Sequence, residues 1–437
     1  MHDLPPGAPT PWAPAPAGII TVYRGATLFD GTGSAPRPGT TIVTDGAVLH
    51  TVTGDGDPLP PIAADADRID LDGRFVVPGL IDTHQHLATP PNRPMAEAVL
   101  RRLVYGGVTA VRDMADDLRH ISDLARAALI GEVPGPDIRY AALMAGPSFF
   151  SDPRTRSVCQ GAEPGAIPWM QAITPDTDLP IAVALARGTH AAAIKMYADL
   201  DADTVAAITA EAHRQNMLVW AHATVFPAAP GDVVAAGADS LSHATLLAFE
   251  DPTEPLGLYK AKPPVAYGRF AADTNPRLAA LFAEMRRRGT VLDATACMST
   301  IDELKSDTAE SAARARRKAE LAATVTAQAH RAGVDLCTGT DHETDPGAPF
   351  PALFDELAFR VERCGISTAD VLRSATLIGA RAAGTEAVMG TVAPGKLANF
   401  TVLNESPLQD IRNLRSITLT VKRGHRYDRA EFEEGRQ

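Results

Sequence analysis

Cysteine is scarce in this chain, and the cysteines present are not spaced for metal binding or redox chemistry. Metal and redox motifs pair cysteines a few residues apart. Here tens of residues separate Cys159, Cys297, Cys337 and Cys364. We therefore expect free thiols, which are typical of a reducing compartment, and predict a cytoplasmic protein.

Long apolar runs and basic clusters are also missing. No stretch approaches the roughly 20 apolar residues of a membrane span. Residues 1–18 are rich in proline and alanine and lack the basic and apolar regions of a secretory signal, so we expect a mobile arm there. The formal net charge of −12 is scattered and shows no basic stripe. This pattern argues against nucleic acid and anionic membranes as partners.

From residue 75 onward, strand-like runs alternate with helical stretches, which predicts a parallel sheet. Eight such units fit a closed (β/α)8 barrel of the TIM type. The alternative is a doubly wound open sheet, but the glycine fingerprint that would favour it is absent. The predicted strands are Phe75–Thr83, Val108–Asp113, Ile138–Met144, Ala192–Met196, Leu218–Ala221, Ser240–Ser242, Thr290–Ala294 and Asp335–Thr340.

Shorter strand patterns occupy both ends of the sequence. Asp45-Gly46 separates two apolar runs and is a strong hairpin signal. Strand patterns return after the predicted last helix, Thr368–Ala383. We therefore expect residues 19–74 and 385–437 to form one small β-sandwich domain, with the catalytic barrel of residues 75–384 inserted between them.

Six residues of metal-ligand type stand at or just past the ends of the predicted strands. They are His84, His86, Lys195, His222, His243 and Asp341. Each has an ordinary alternative, such as a hydrogen-bonded core histidine, a turn aspartate or a surface lysine. Because strand ends of a barrel meet at one mouth, where active sites sit, we expect all six to converge.

Four neutral imidazoles and a carboxylate form a ligand set for zinc or a similar divalent metal. A lysine among them suggests a second metal and a bridging group. The six residues therefore predict a metal-dependent hydrolase.

The chain resembles the amidohydrolase superfamily, most closely its imidazolonepropionase-like and metal-dependent dipeptidase branch. The resemblance covers nearly the whole chain and includes the lysine, histidines and aspartate above. It rests on four further runs, Val77-Pro78-Gly79-Leu80-Ile81-Asp82, Gly107–Asp113, Gly339-Thr340-Asp341 and Gly390–Phe400.

The resemblance implies two divalent metal ions, commonly zinc. The first would be held by His84, His86 and Asp341, and the second by His222 and His243. Lys195, carboxylated by carbon dioxide, would bridge them. A hydroxide between the metals would then attack a carbonyl. Asp341 would transfer the proton to the leaving group, and His243 would help to stabilise the oxyanion.

We expect a small-molecule substrate, first an amide that bears a carboxylate, such as a dipeptide or an N-acyl amino acid. Candidate contacts are Tyr197, which otherwise packs in the core, Arg112 as a carboxylate clamp, and His342, which otherwise bonds to backbone. Two long connections, Ala145–Asp176 and Thr245–Asn275, are candidate lids. The cations of these connections could bind a substrate carboxylate. The candidate residues, which include two tyrosines, are Arg154, Arg156, Tyr259, Lys260, Lys262, Tyr267 and Arg269.

Other functions remain open at this point. Cyclic amides, lactones and aromatic amides of the mycotoxin type are further substrate classes. A deaminase would use the same barrel with one metal, and a metal-free scaffold without catalysis is the alternative of another kind. The sequence carries no interface signal, so a homo-oligomer also stays open.

Overall fold

The computed structural model describes residues 18–89, 91–272, 275–342 and 347–434. The mobile arm expected at residues 1–18 lies outside this part except for Gly18. The strands are β1 (Ile20–Leu28), β2 (Arg37–Asp45), β3 (Val48–Gly54), β4 (Asp67–Asp70), β5 (Phe75–Pro78), β6 (Leu80–Gln85), β7 (Val108–Asp113), β8 (Asp137–Ala145), β9 (Ala166–Ile167), β10 (Met170–Ala172), β11 (Ala193–Met196), β12 (Leu218–His222), β13 (Ser240–Ser242), β14 (Val291–Asp293), β15 (Leu336–Cys337), β16 (Phe400–Leu403), β17 (Ile417–Lys422) and β18 (His425–Asp428).

The α-helices lie mostly between the strands of the central sheet. They are α1 (Arg93–Tyr105), α2 (Leu118–Leu129), α3 (Pro153–Val158), α4 (Leu179–Gly188), α5 (Ala202–Arg214), α6 (Pro230–Ala236), α7 (Pro276–Arg288), α8 (Met298–Leu304), α9 (Ala309–Arg331), α10 (Leu353–Glu362), α11 (Thr368–Ser374), α12 (Leu377–Ala382) and α13 (Arg429–Glu434). Short polar side chains start several of them, because their oxygens accept a backbone N–H of the first turn. Such capping residues are Asn92, Asp117, Asp178, Asp201 and Asn275.

Eight parallel strands form the predicted barrel, in the order β6, β7, β8, β11, β12, β13, β14 and β15. Two backbone hydrogen bonds join the first barrel strand to the segment that follows the last one. Thr83 N–H donates to the Thr338 carbonyl, and Asp341 N–H donates to the His84 carbonyl, both at 2.9 Å. These bonds bring the ends of β6 and β15 together, so the (β/α)8 architecture is confirmed.

A second sheet unites both ends of the described chain, with strand order β18-β17-β16-β5-β1-β2-β3 and β4 beside β1. The hairpin at Asp45-Gly46 joins β2 to β3 as predicted. The Tyr23 and Phe400 rings, from opposite ends of the sequence, meet edge to face with centroids 5.0 Å apart. The two ends therefore enclose one small core, which is the expected β-sandwich.

The predicted first barrel strand, Phe75–Thr83, is wrong as a single element. Phe75–Pro78 pairs with β1 and β16 in the terminal sheet, and the barrel strand begins at Leu80. Gly79 separates the two, and a Cβ there would lie 2.1 Å from Thr109 Oγ1. Only glycine fits this close approach, so we propose Gly79, rather than residue 75, as the start of the barrel domain.

The predicted last helix, Thr368–Ala383, is also wrong as a continuous element. It divides into α11 and α12, since Thr376 leaves the helical region with φ −128° and ψ −89°. Its hydroxyl donates to the Leu372 carbonyl at 2.8 Å. A hydroxyl that bonds to nearby backbone in this way competes with helix propagation, and sequence periodicity does not reveal it.

Two further observations bear on the sequence predictions. All four cysteines are buried and free. None of the helices in the described part of the chain has the length and apolar character needed to cross a bilayer.

Buried ion pairs fasten the terminal sheet to the barrel. Asp137, at the start of β8, lies 3.0 Å from Lys422 Nζ and 2.8 Å from Arg423 Nε. Lys422 Nζ also donates to the Ala128 carbonyl at 2.8 Å. The sheet is therefore joined to the barrel by charged side chains that water hardly reaches.

Candidate active site

The six predicted residues gather at the mouth formed by the carboxyl ends of the barrel strands. His84 lies in β6 and His86 directly after it, while Lys195 lies in β11. His222 ends β12, and His243 follows β13 at once. Ring centroids are 5.1 Å apart for His84 and His243, and 4.8 Å apart for His222 and His243. Parallel strands thus bring together side chains that are far apart in sequence.

Two imidazoles converge on a single carboxylate oxygen. The Nε2 atoms of His84 and His86 lie 3.4 Å and 3.3 Å from Asp341 Oδ1. The opposite ring nitrogens are held by other carboxylates, His84 Nδ1 by Asp293 at 2.7 Å and His86 Nδ1 by Asp116 at 2.9 Å. A proton on each Nδ1 satisfies these bonds, which leaves both Nε2 lone pairs aimed at the centre of the mouth.

Asp341 and the two imidazoles beside it form one electrostatic unit. Burial opposes the charged form of Asp341, but His84 and its other imidazole neighbours hold the carboxyl pKa well below its usual range. Burial lowers the pKa of His84. At His86 the carboxylates Asp116 and Asp341 outweigh burial and raise the pKa well above its usual value. Asp341 is therefore held as an anion beside the two imidazoles.

Lys195 is buried beside this group. Its Nζ donates to Ser242 Oγ at 3.3 Å, and that hydroxyl donates to Asp293 Oδ2 at 3.2 Å. Burial lowers the pKa of Lys195 to about 7, and Arg112 adds to the lowering while Asp293 and Asp341 oppose it. A buried amine with this pKa is partly neutral near pH 7, the form that can react with carbon dioxide.

His222 and His243 complete the mouth as neutral imidazoles. Burial lowers the pKa of His222 well below its usual value and that of His243 to about 3. His243 Nδ1 lies 2.9 Å from Thr295 Oγ1 and 3.7 Å from Asp341 Oδ2. His222 Nδ1 is buried and has no hydrogen-bond partner among the described residues. Such an unpaired buried nitrogen is unfavourable unless something outside the chain binds it.

The sequence analysis missed two carboxylates that orient the histidines. Asp293 ends the seventh barrel strand and is fully buried, with His84, Ser242 and Arg112 around it. Asp116 accepts from the Ala88 N–H at 2.6 Å besides its bond to His86. Asp293 could have been predicted, because it is a carboxylate at the end of a barrel strand. Asp116 lies in the loop after β7, and nothing in the sequence marks it as a site residue.

Backbone strain is concentrated around these side chains. His243, Thr295 and Asp341 have positive φ angles of 73°, 42° and 55°. Non-glycine residues rarely adopt this region, and such strain clusters at functional sites. Gly339 lies so close to β6 and β14 that a Cβ would be 2.5 Å from the His84 Cβ and 2.3 Å from Asp293 Oδ1. The surrounding packing therefore fixes the strand ends.

Arg112 does not fit the expected role of carboxylate clamp. Its guanidinium is fully buried inside the barrel and stacks 4.6 Å from the Trp220 ring centroid. Its nitrogens donate to Thr83, Ser240, Ala382 and Asp293. Since these acceptors already engage the guanidinium, Arg112 is not placed to bind a substrate and instead supports Asp293.

Tyr197 and His342 lie near the mouth. The Tyr197 ring packs 4.0 Å from the His222 ring and 4.5 Å from that of Phe149, measured between centroids. His342 Nδ1 bonds to the Thr340 carbonyl at 2.9 Å, the backbone alternative considered for it, whereas its Nε2 is buried without a described partner.

The two long connections are structured over much of their length. The first contains a 3-10 helix at Pro147–Ser151, α3, β9 and β10, and the second contains 3-10 helices at Ala244–Glu250, Tyr259–Ala261 and Tyr267–Arg269. Asp199, just past β11, joins them, because it accepts from the Tyr259 N–H at 2.7 Å and from the Ser148 hydroxyl at 2.6 Å.

This fold and site define a class, the (β/α)8-barrel enzymes with polar active-site residues on the carboxyl ends of the strands. The sequence profile of the Amidohydrolase family matches residues 75–426. The chain therefore belongs to the Amidohydrolase family, which makes it an enzyme of the hydrolase class.

Individual relatives support this assignment at lower similarity. A dihydroorotase of Desulforapulum autotrophicum is 34% identical over 128 residues, which span 26% of this chain and 29% of that protein. The crystal structure of a Xaa-Pro dipeptidase with bound methionine has a TM-score of 0.71 at 21% identity, covering 94% of this chain and 100% of the other.

Two further solved structures have the same fold. The ochratoxinase of A. niger has a TM-score of 0.73 at 22% identity. The aligned region covers 94% of this chain and 95% of the ochratoxinase chain. A molinate hydrolase has a TM-score of 0.71 at 18% identity, and the aligned region covers 95% of this chain and 96% of the molinate hydrolase chain. At these identities the likeness establishes the shared fold.

Proposed function

We propose that this enzyme is a metal-dependent hydrolase that cleaves the C–N bond of an amide in a small, carboxylate-bearing substrate such as a dipeptide or an N-acyl amino acid. One observation carries the proposal. Two imidazole Nε2 atoms approach the same oxygen of Asp341, and each ring is oriented by a carboxylate on its far side.

The donor spacing fits a divalent metal ion. Ligands about 2.1 Å from a tetrahedrally bound zinc lie about 3.4 Å from one another. The separations of His84 and His86 from Asp341 Oδ1 are 3.4 Å and 3.3 Å. His84, His243 and Asp341 also form a cluster, because their ligand atoms all lie within 4.8 Å of one another.

A second metal position is supported by His222, His243 and Lys195. His222 offers a buried nitrogen without a described partner. Lys195 as an ammonium cannot ligate, whereas its carbamate would present two anionic oxygens between the two positions. We infer two ions, most naturally zinc because imidazole and carboxylate oxygen are ligands it prefers.

When bound, such ions lower the pKa of a coordinated water and polarise the scissile carbonyl. The chain's own residues would supply the rest of the chemistry. Asp341, held as an anion at the centre, would accept the proton of the attacking water and return it to the amide nitrogen as the C–N bond breaks. His243, 3.7 Å from Asp341 Oδ2, would lie beside the oxyanion.

The preference for a carboxylate-bearing amide rests on the cations of the two long connections and on the likeness to the Xaa-Pro dipeptidase. An aromatic amide of the mycotoxin type is the second candidate. It is favoured by the ring cluster of Phe149, Tyr197 and Tyr259 beside His222, and by the likeness to the ochratoxinase.

Metal analysis combined with a hydrolysis screen tests the proposal. Protein loaded with zinc and bicarbonate should contain two equivalents of metal per chain and hydrolyse members of a dipeptide and N-acyl amino acid library. Asp341→Asn should lower kcat by about 10²–10⁴-fold. One metal equivalent would instead support a deaminase-like site. No bound metal, or near-normal turnover in Asp341→Asn, would refute the mechanism.

A further inference from the structure

In the described part of the chain, one lysine of the second long connection lies near the mouth and pairs with no carboxylate. We propose that Lys262 anchors a subsite for the carboxylate of the substrate, with Tyr259 as its floor and the His222 side of the mouth as its edge. This inference rests on the proposed amide hydrolysis and names the residue that selects the substrate class.

Contacts place Lys262 next to the reacting centre. Its Nζ lies 3.5 Å from the Tyr259 ring centroid and 5.5 Å from that of Phe226. The Tyr259 ring stacks on His222 at 6.1 Å between centroids, with an interplanar angle of 26°. A dipeptide carries its carboxylate about one residue spacing, about 3.8 Å, beyond the scissile bond. The receiving cation must therefore stand near the imidazoles, and Lys262 is one aromatic ring, that of Tyr259, away from His222.

Two arginines of the long connections pair with carboxylates, whereas Lys262 does not in the described part of the chain. Arg154 lies 3.0 Å from Asp152, and Arg269 lies 3.3 Å from Asp251. In the described ranges, no carboxylate stands within ion-pair distance of Lys262 Nζ, whose closest charged or ring contacts are Tyr259 and Phe226. Burial chiefly lowers the pKa of Lys262, Tyr259 opposes this, and the charges of Lys318 and Arg154 lower it further. A bound carboxylate would relieve this repulsion.

The subsite is preformed. Tyr259 is fixed through its backbone N–H, which donates to Asp199 at 2.7 Å, while the other Asp199 oxygen accepts from Ser148 at 2.6 Å. Both Asp199 oxygens are therefore engaged and do not compete for the ammonium. A site ordered before binding loses less entropy on capturing its ligand.

The test compares two lysines of the same connection on two matched substrates. Lys262→Met keeps the apolar stem and removes the charge, and Lys260→Met is the control, since Lys260 Nζ donates instead to Ser151 Oγ at 3.2 Å. The substrates are a dipeptide and the same dipeptide with a C-terminal amide. Lys262→Met should lower kcat/KM for the acid by about 10- to 100-fold and leave the amide within about twofold.

Lys260→Met should keep the wild-type ratio of kcat/KM for the acid to kcat/KM for the amide. Lys262→Arg should restore most of this ratio because the positive charge returns. The inference would be overturned if Lys262→Met lowered kcat/KM equally for both substrates, or lowered it for neither. A calorimetric titration of the full chain with an N-acetyl amino acid and with its amide provides a readout without turnover. Binding that favours the acid, and loses this preference in Lys262→Met, supports the subsite even if no amide is hydrolysed, in which case only the proposed function fails.

Discussion

At the scale of single residues, Asp293 connects several of the side chains at the mouth. Its carboxylate receives His84 Nδ1, the Ser242 hydroxyl and Arg112, and Ser242 in turn receives Lys195. Burial opposes its charged form, but His84 and Arg112 hold the carboxyl pKa below its usual value. One buried anion thus orients two proposed metal ligands, one on each side of the centre.

Replacing Asp293 by Asn should therefore weaken metal binding more than it perturbs folding. The amide keeps the shape but loses the charge that fixes the His84 tautomer, and partners of this kind typically contribute 10- to 100-fold to metal affinity. We expect a loss of about that size in zinc affinity, measured by competition with a chelator. Asp239→Asn is the control, since Asp239 also contacts a histidine, His213 at 3.0 Å, outside the mouth. Equal zinc affinity in both variants would refute the role of Asp293.

The residue types at the strand ends were predictable from the sequence, but their partners were not. His84 and Asp293 are 209 residues apart, and Arg112 and Asp293 are 181 apart. Arg112 follows the pattern of a mouth residue in sequence, yet the barrel turns it inward onto Trp220. Strand periodicity gives the side on which a residue lies, whereas its hydrogen-bond partner depends on how distant strands are aligned.

At the scale of elements, the two long connections act as one cover because Asp199 binds both. Ser148 comes from the first connection and Tyr259 from the second. Asp199 has a positive φ of 59°, and a Cβ on Gly146 would lie 2.0 Å from its carbonyl oxygen. The turn after β11, which follows Lys195 by four residues, thus couples the cover to the centre.

Asp199→Asn should loosen this cover. The amide keeps one acceptor oxygen, so one of the two bonds is lost, at a net cost of about 0.5–1.5 kcal/mol. We expect KM for a hydrolysed dipeptide to rise by about 2- to 10-fold while the metal content stays at the wild-type value. Steady-state kinetics with metal analysis measures both. Asp201→Asn, which keeps a good helix cap on the neighbouring α5, should leave KM unchanged. A fall in metal content would show instead that Asp199 supports the ligands directly.

Element boundaries failed in the sequence analysis where two sheets meet. The run from Phe75 to Thr83 is apolar on both sides of Pro78-Gly79, and the prediction of one strand overlooks the break that this dipeptide signals. Thr109, in the neighbouring strand, leaves no room for a Cβ at Gly79, where the chain passes from one sheet to the other. This contact exists only after β7 has packed beside β6, and the local sequence does not encode it.

At the scale of the whole molecule, Asp137 links the barrel to the terminal sheet through a buried cluster of charges. Burial would raise the pKa of this carboxyl, but Arg423 and Lys422 more than offset burial and lower it. A depressed pKa contributes stability above the pKa of the unfolded chain, about 3.8, and the contribution is lost as the pH falls through the folded value. The junction is therefore sensitive to acid.

Asp137→Asn should cost about 3–5 kcal/mol of unfolding free energy at pH 7, because it leaves two buried cations without their anion. The difference from the wild type should shrink as the pH falls below about 3.8, where the carboxyl of the unfolded chain becomes protonated, and vanish below the lowered pKa of the folded state. Urea unfolding at pH 7, 5 and 3 measures it. Asp67→Asn, whose carboxylate pairs with Arg426 at the surface, should change stability by less than about 1 kcal/mol. A pH-independent difference for Asp137→Asn would contradict this explanation.

The sequence by itself determined the alternation of strands and helices, the barrel it implies and the six residues at the strand ends. These features depend on local periodicity and on the common direction of parallel strands. The tertiary structure alone decided that Asp293 and Asp116 orient the histidines, that Arg112 lies inside the barrel and that Lys262 lies on the Tyr259 ring with no carboxylate partner among the described residues. Such pairings depend on distances between side chains from different strands and connections, and packing sets those distances only once the barrel closes.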